Sequence, residues 1–97
     1  MRLEYTREAR ADIYKIQDYG IKNFGRGHSE QYTDGLLDVA KLIAFNPMMN
    51  SERVHLGEPV RLHFYKSHTI FYRIDEAAAV VKIIRILSKH QNWTDHL

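Results

Sequence analysis

The sequence predicts an α+β domain in which a helical hairpin packs on one face of a small, mainly antiparallel sheet, in the order β-α-α-β-β-β. Three features carry that expectation. Up to Asn46 there are two stretches whose apolar residues recur at helical spacing. Asn46-Pro47-Met48-Met49-Asn50-Ser51 then breaks the pattern. Beyond the break, apolar residues alternate or run continuously, as they do in strands. A chain of 97 residues suffices for one domain and not two, so residues 1–97 are read as a single unit.

Leu3-Glu4-Tyr5 is a short strand. Thr6 follows as a helix N-cap, because its hydroxyl can accept an otherwise unpaired first-turn N–H, and Glu8 is favoured there by the helix dipole. Ala9, Ile13, Ile16 and Phe24 form the buried stripe with Gly20 in line, while Asp12, Lys15, Asp18 and Lys22 are expected mostly to face water. Gly25-Arg26-Gly27 stops this helix. The second helix is expected from His28-Ser29 with Ser29 as its cap, burying Tyr32, Leu36, Val39 and Ile43, with Leu37 and Ala40 beside them. It ends at Asn46, since the residue before a proline is pushed out of helical geometry. The short glycine-rich link makes the pair an antiparallel hairpin. Met48 and Met49 are read as covering the passage from helix to sheet.

In the second half, Val60, Leu62 and Phe64 alternate with Arg61, His63 and Tyr65, which marks a half-buried strand. Lys66-Ser67-His68 is a turn. Thr69 to Ile74 is the next strand, with Ile70, Tyr72 and Ile74 on one face, and Asp75 to Ala78 is the next turn. Val80 to Leu87 is apolar except for Lys82 and Arg85, as in a central strand covered on both faces. Residues 88–97 read as a polar tail carrying Trp93 and Leu97. A hairpin on one face leaves the other face partly open and still apolar, which calls for a protein partner.

Hydrophobic residues make up 44% and charged residues 27%, so a folded core is expected rather than disorder. The chain has no cysteine, which removes disulfides, thiolate metal sites and cysteine nucleophiles together. Charge arrives at once in Met1-Arg2-Leu3-Glu4-Tyr5, so no secretory leader is read, and no apolar run approaches the ~20 residues of a membrane span. A cytoplasmic protein is the expectation. A net charge of +2 with scattered Lys and Arg is not the footprint of a sequence-specific nucleic-acid binder. The six histidines include no HxxxH pair, so neither a metal nor a cofactor is expected.

The segments Ala9-Arg10-Ala11-Asp12-Ile13-Tyr14-Lys15-Ile16 and Asn23-Phe24-Gly25 resemble the first helix of the ParE toxins, in the RelE/ParE toxin superfamily. Leu36 to Ala44 with Asn46-Pro47 resembles the family's second helix and its terminator. Val60-Arg61, Ser67 to Ile74 and Ile84-Arg85-Ile86-Leu87 resemble its strand motifs, so the likeness covers nearly the whole chain. It implies a toxin of a type II toxin–antitoxin pair, held inactive in a hetero-oligomer with a ParD-type antitoxin. ParE proteins act on DNA gyrase, whereas the RelE branch cuts messenger RNA on the ribosome, and fold alone does not choose between them.

RNA cleavage by transesterification needs a base, a group that stabilises the phosphorane charge, and an acid. Where the nuclease branch begins a strand with a functional arginine, this chain has Thr69; where that branch places His or Tyr after the last strand, this chain has Leu87-Ser88. Arg85 remains and could hold a phosphate. Each lost proton-transfer group costs ~10²–10⁴ in rate, so a non-enzymatic poison of gyrase is expected, with a metal-independent endoribonuclease rebuilt around His68 and His90 as the alternative. A degenerate, non-toxic member is a third reading. The chain also departs from the ParE pattern of Arg-Ile-Leu-His followed later by Asp, having Ser88 and Asn92 at those positions.

No catalytic residue is assigned. Arg61, Arg73, Arg85, His68 and Trp93 are the partner-binding candidates. Arg85 is either a structural cation paired with a carboxylate or an open-face contact. Arg61 and Arg73 are either solvated strand residues or contacts to an acidic antitoxin tail. His68 makes either a turn hydrogen bond or a functional contact. Trp93 either folds back on the core or anchors a partner.

Overall fold

The computed structural model describes all 97 residues. Strand β1 (Arg2–Tyr5) leads into helices α1 (Arg7–Phe24) and α2 (Arg26–Phe45). A single 3-10 turn at Pro47–Met49 precedes β2 (Glu52–His55), β3 (Glu58–Tyr65), β4 (His68–Asp75) and β5 (Val80–Ser88), and a second such turn spans Trp93–Asp95. The strands form one five-stranded sheet in the order β1-β5-β4-β3-β2. β2 to β5 are an antiparallel meander, and β1 closes the sheet by pairing in parallel with β5.

β2 adds one strand to the order expected from the sequence. Glu52, Arg53 and Val54 are all exposed, so no alternation marks the strand. Its hairpin to β3 turns on Leu56 and Gly57, both at positive φ (52° and 79°), as a type I′ turn requires. A leucine at the position that Asn or Gly usually takes hides that turn from a sequence reading.

Thr6 caps α1 as expected. Its hydroxyl oxygen accepts the Ala9 N–H at 3.0 Å and donates to the Ile84 carbonyl at 2.8 Å, fastening the helix start to β5. Gly25, at φ 88°, ends α1 and begins α2 in one residue. The second helix therefore starts at Arg26, and Ser29 is not its cap. Ser29 is buried inside the hairpin and donates to the Gln17 carbonyl at 2.8 Å. Gly20 lies against it, where a Cβ would come within 2.6 Å of Ser29 Oγ. The bare backbone at Gly20 thus sets how closely the helices approach.

Ala9, Leu36, Ala40 and Ile43 from the helices pack on Ile70, Tyr72, Val81, Ile83 and Ile86. Tyr72 is fully buried, and its hydroxyl donates to the Pro47 carbonyl at 2.8 Å. Phe24 does not join this core; at 62% exposed it stands in water on the last turn of α1. The pairing of β4 with β5 slips once: Phe71 faces Arg85 and Tyr72 faces Ile83, so Ile84 is the extra residue of a β-bulge. The bulge is why Ile83 and Ile86, three residues apart, share the helix-covered face.

The second face of the sheet is not open. Val60, Leu62, Phe71, Ile84 and Leu87 form a separate apolar cluster there, and Trp93 and Leu97 from the tail pack onto it. The tail reverses at Ser88, whose N–H donates to Gln91 Oε1 at 2.9 Å and whose carbonyl accepts the Gln91 N–H at 3.1 Å. Of the two readings of Trp93, folding back on the core is the one observed, and Leu97 joins it. Met48 and Met49 remain substantially exposed beside Leu42 and Phe45, so the passage from helix to sheet keeps an apolar surface.

Candidate functional site

β1 pairs only with Val80–Ile83, so the outer edge of β5 beyond Ile83 has no neighbouring strand. α1 takes its place with side chains. Thr6 binds the Ile84 carbonyl, and Asp12 Oδ2 accepts the Ile86 N–H at 2.9 Å. Arg85 donates from Nε to Asp12 Oδ2 at 2.8 Å and from Nη2 to Asp12 Oδ1 at 2.9 Å. Its Nη1 donates to the His96 carbonyl at 2.9 Å, tying in the tail. The hydrogen bond to Asp12 holds the Arg85 pKa above its ordinary value, against the opposing effect of burial. Asp12, expected to face water, is instead only 6% exposed. Its position one turn from Ala9 and next to Ile13 already put it on the inner stripe, and Arg85 is the only cation in β5 able to neutralise it there.

Arg61 donates to the Asn50 carbonyl and lies 3.9 Å from Glu52, holding the passage into β2. Arg73 donates to the Pro59 carbonyl at 2.9 Å across the start of β3. Trp93 lies flat on the second face, with its ring 5.7 Å from Phe71 and 5.2 Å from His55. Arg61 and Arg73 border one polar cleft together with Glu52, Glu58, Asp75 and Glu76, which Arg85 and Trp93 do not line.

His68 lines a second cleft, between the hairpin and the ends of β4 and β5. Its Nδ1 is 2.6 Å from the Tyr32 hydroxyl. Burial pushes the His68 pKa down, opposed by the Asp12 charge, and burial also raises the Tyr32 pKa. A neutral imidazole with its ring proton on Nε2 can accept from the Tyr32 hydroxyl at Nδ1. Lys66 stands beside this pair with its ammonium 5.7 Å from the Tyr32 ring and 5.4 Å from the Tyr65 ring. Tyr32, expected only as core, is half-buried and forms this wall. Lys15, His28 and His90 also line the cleft. They come from α1, α2 and the turn after β5, and tertiary packing brings them to one cleft. No group of His, Asp and Glu is arranged to hold a metal ion.

Burial also lowers the pKa of His63. With folded-state values below the ordinary 6.5, the unfolded chain binds more protons than the folded one as the pH falls through that region. Stability is therefore expected to be fully present above about pH 6.5 and to decline below it. Urea midpoints at pH 7.5 and 5.5 check this: His68→Gln should reduce the difference, and an unchanged difference would show that His68 does not contribute.

No helix is long and apolar enough to cross a membrane. Among solved structures, the chain is similar to the chromosomal ParDE toxin–antitoxin system from P. aeruginosa, with a TM-score of 0.78 and 20% identity over 91% of this chain and 95% of that one. It is also similar to the RelBE2 toxin–antitoxin complex from Mycobacterium tuberculosis, with a TM-score of 0.69 and 16% identity over 91% of this chain and 96% of that one. At these identities the likeness shows the fold: a helical hairpin on a mainly antiparallel sheet. A search among curated proteins finds no match. The family described as ParE toxin of type II toxin–antitoxin system, parDE, matches residues 3–93, almost the whole chain, so this protein belongs to the ParE toxin family.

Proposed function

We propose that this toxin inhibits DNA gyrase by binding it, without catalysis, and that a ParD-type antitoxin neutralises it in the cytoplasm. The observation that carries the non-catalytic reading is the commitment of Arg85. All three of its terminal donor groups are used within the fold, on Asp12 and on the His96 carbonyl. The one basic group kept from the nuclease pattern is thus occupied by a structural ion pair and not presented to a phosphate. Thr69, at the other nuclease position, is 6% exposed. The antitoxin reading is supported by apolar surface that the fold leaves in water: Leu42, Phe45, Met48 and Met49 at the end of α2 are 52%, 87%, 54% and 41% exposed. An amphipathic antitoxin helix suits such a surface.

Inducing the chain in bacteria tests this. The expected result is growth arrest with an SOS response and linear DNA, relieved by co-expressing a ParD-type antitoxin. Rapid loss of translation with cut messages and no DNA damage would replace the gyrase reading with RNA cleavage. Normal growth would mark a member that folds but no longer poisons.

A further inference from the structure

The cleft beside His68 has a volume of about 640 Å³, in the range of small-molecule sites. We infer that it binds a small phosphate-bearing ligand with a flat aromatic ring, of the mononucleotide class.

The sign of the lining comes first. The chain carries 12 Asp and Glu, yet none lines this cleft, whereas Lys15, His28, His68 and His90 all do. The carboxylates nearest in sequence on α1 are committed elsewhere, Asp12 to Arg85 and Asp18 to Lys22 at 2.9 Å. Lys15 supplies positive charge, the imidazoles supply N–H donors, and a concave site so lined with no carboxylate favours an anion. Hydrogen-bonding capacity comes next. With Tyr32 donating to Nδ1, His68 keeps an Nε2–H donor, and Ser67 and Ser88 add hydroxyls at the same end.

Part of the lining is aromatic. Tyr19 and Phe24, 63% and 62% exposed, sit edge to face at 6.3 Å, and Phe24 lies 5.5 Å from the His28 ring. Large rings left in water and tied to no core are suited to stack on a flat ligand ring. Phosphate donors and stacking surfaces in one cleft together define the ligand class. This cleft is separate from the apolar end of α2 assigned above to the antitoxin, so the two readings fail independently.

The test is a titration of the isotopically labelled full chain with AMP, with adenosine and inorganic phosphate as separate arms, followed by amide chemical shifts. AMP is expected to give saturable shifts confined to residues around the cleft and to bind about tenfold or more tighter than either fragment. Lys15→Ala and His90→Ala, both at exposed positions, are expected to weaken AMP by about tenfold each with the amide spectrum otherwise unchanged, while Lys15→Arg retains binding. Inorganic phosphate matching AMP would remove the aromatic half of the proposal and overturn it. Absence of saturable shifts, shifts centred outside the cleft, or binding of an acidic peptide but not AMP would also overturn it.

Discussion

Asp12→Ala is expected to destabilise the fold by about 3 kcal/mol or more, a large part of the ~5–15 kcal/mol that holds a small domain together. The loss has two sources. Arg85, only 19% exposed in its side chain, would keep its charge in a poorly solvated place with one carbonyl as its remaining partner. The Ile86 N–H, which has no strand beside it, would lose its acceptor. Asp12→Asn should cost less, because the amide oxygen can still accept from Ile86. Arg85→Ala alone should also be costly, and the double variant Asp12→Ala/Arg85→Ala should lose clearly less than the sum of the singles. Urea denaturation of the four proteins reads this directly from the midpoints at constant slope. A change below 1 kcal/mol for Asp12→Ala would show that the pair contributes little, and strict additivity would show that the two side chains act apart.

Trp93→Ala should cost about 2–3 kcal/mol, somewhat under the usual range for a buried tryptophan because the ring is only partly covered. Removing residues 90–97 should cost more, since it also takes away Leu97 and the carbonyl that Arg85 binds. What is uncovered is the cluster of Val60, Leu62, Phe71, Ile84 and Leu87. A contiguous apolar face of that kind attracts hydrophobic dyes and promotes association. The shortened chain is therefore expected to bind anilinonaphthalene sulfonate while keeping its far-ultraviolet dichroism. A truncated protein as stable as the intact one, and silent to the dye, would mean that the tail does not cover the sheet.

The two helices, the hairpin between them and four of the five strands were legible, β1 from Leu3-Glu4-Tyr5 and most of the rest from a local period: Leu36, Val39 and Ile43 at helical spacing, Val60 and Leu62 at every second residue. Thr6 was legible for the same reason, as a hydroxyl just ahead of an apolar repeat. β2 was not, because Glu52, Arg53 and Val54 owe their extended form to pairing with β3 and not to burial. Asp12 was assigned to solvent on its charge alone, and only the remote Arg85 reverses that. The cover over the second face was missed because Trp93 and Leu97 act as isolated anchors with no period. The cleft was only partly legible: His68 and His90 were singled out together, but Lys15 and His28 join them through tertiary packing that their spacing does not record.

The parallel pairing of β1 with β5 joins the two ends of the chain, with Arg2 opposite Val80 and Asp12 opposite Arg85 across 73 residues. Neither apolar cluster is complete until β5 is in place, because that strand lies between β1 and β4 and contributes to both. Folding is thereby governed by contacts between residues far apart in sequence, and a chain cut before Val80 lacks the strand that both apolar clusters share.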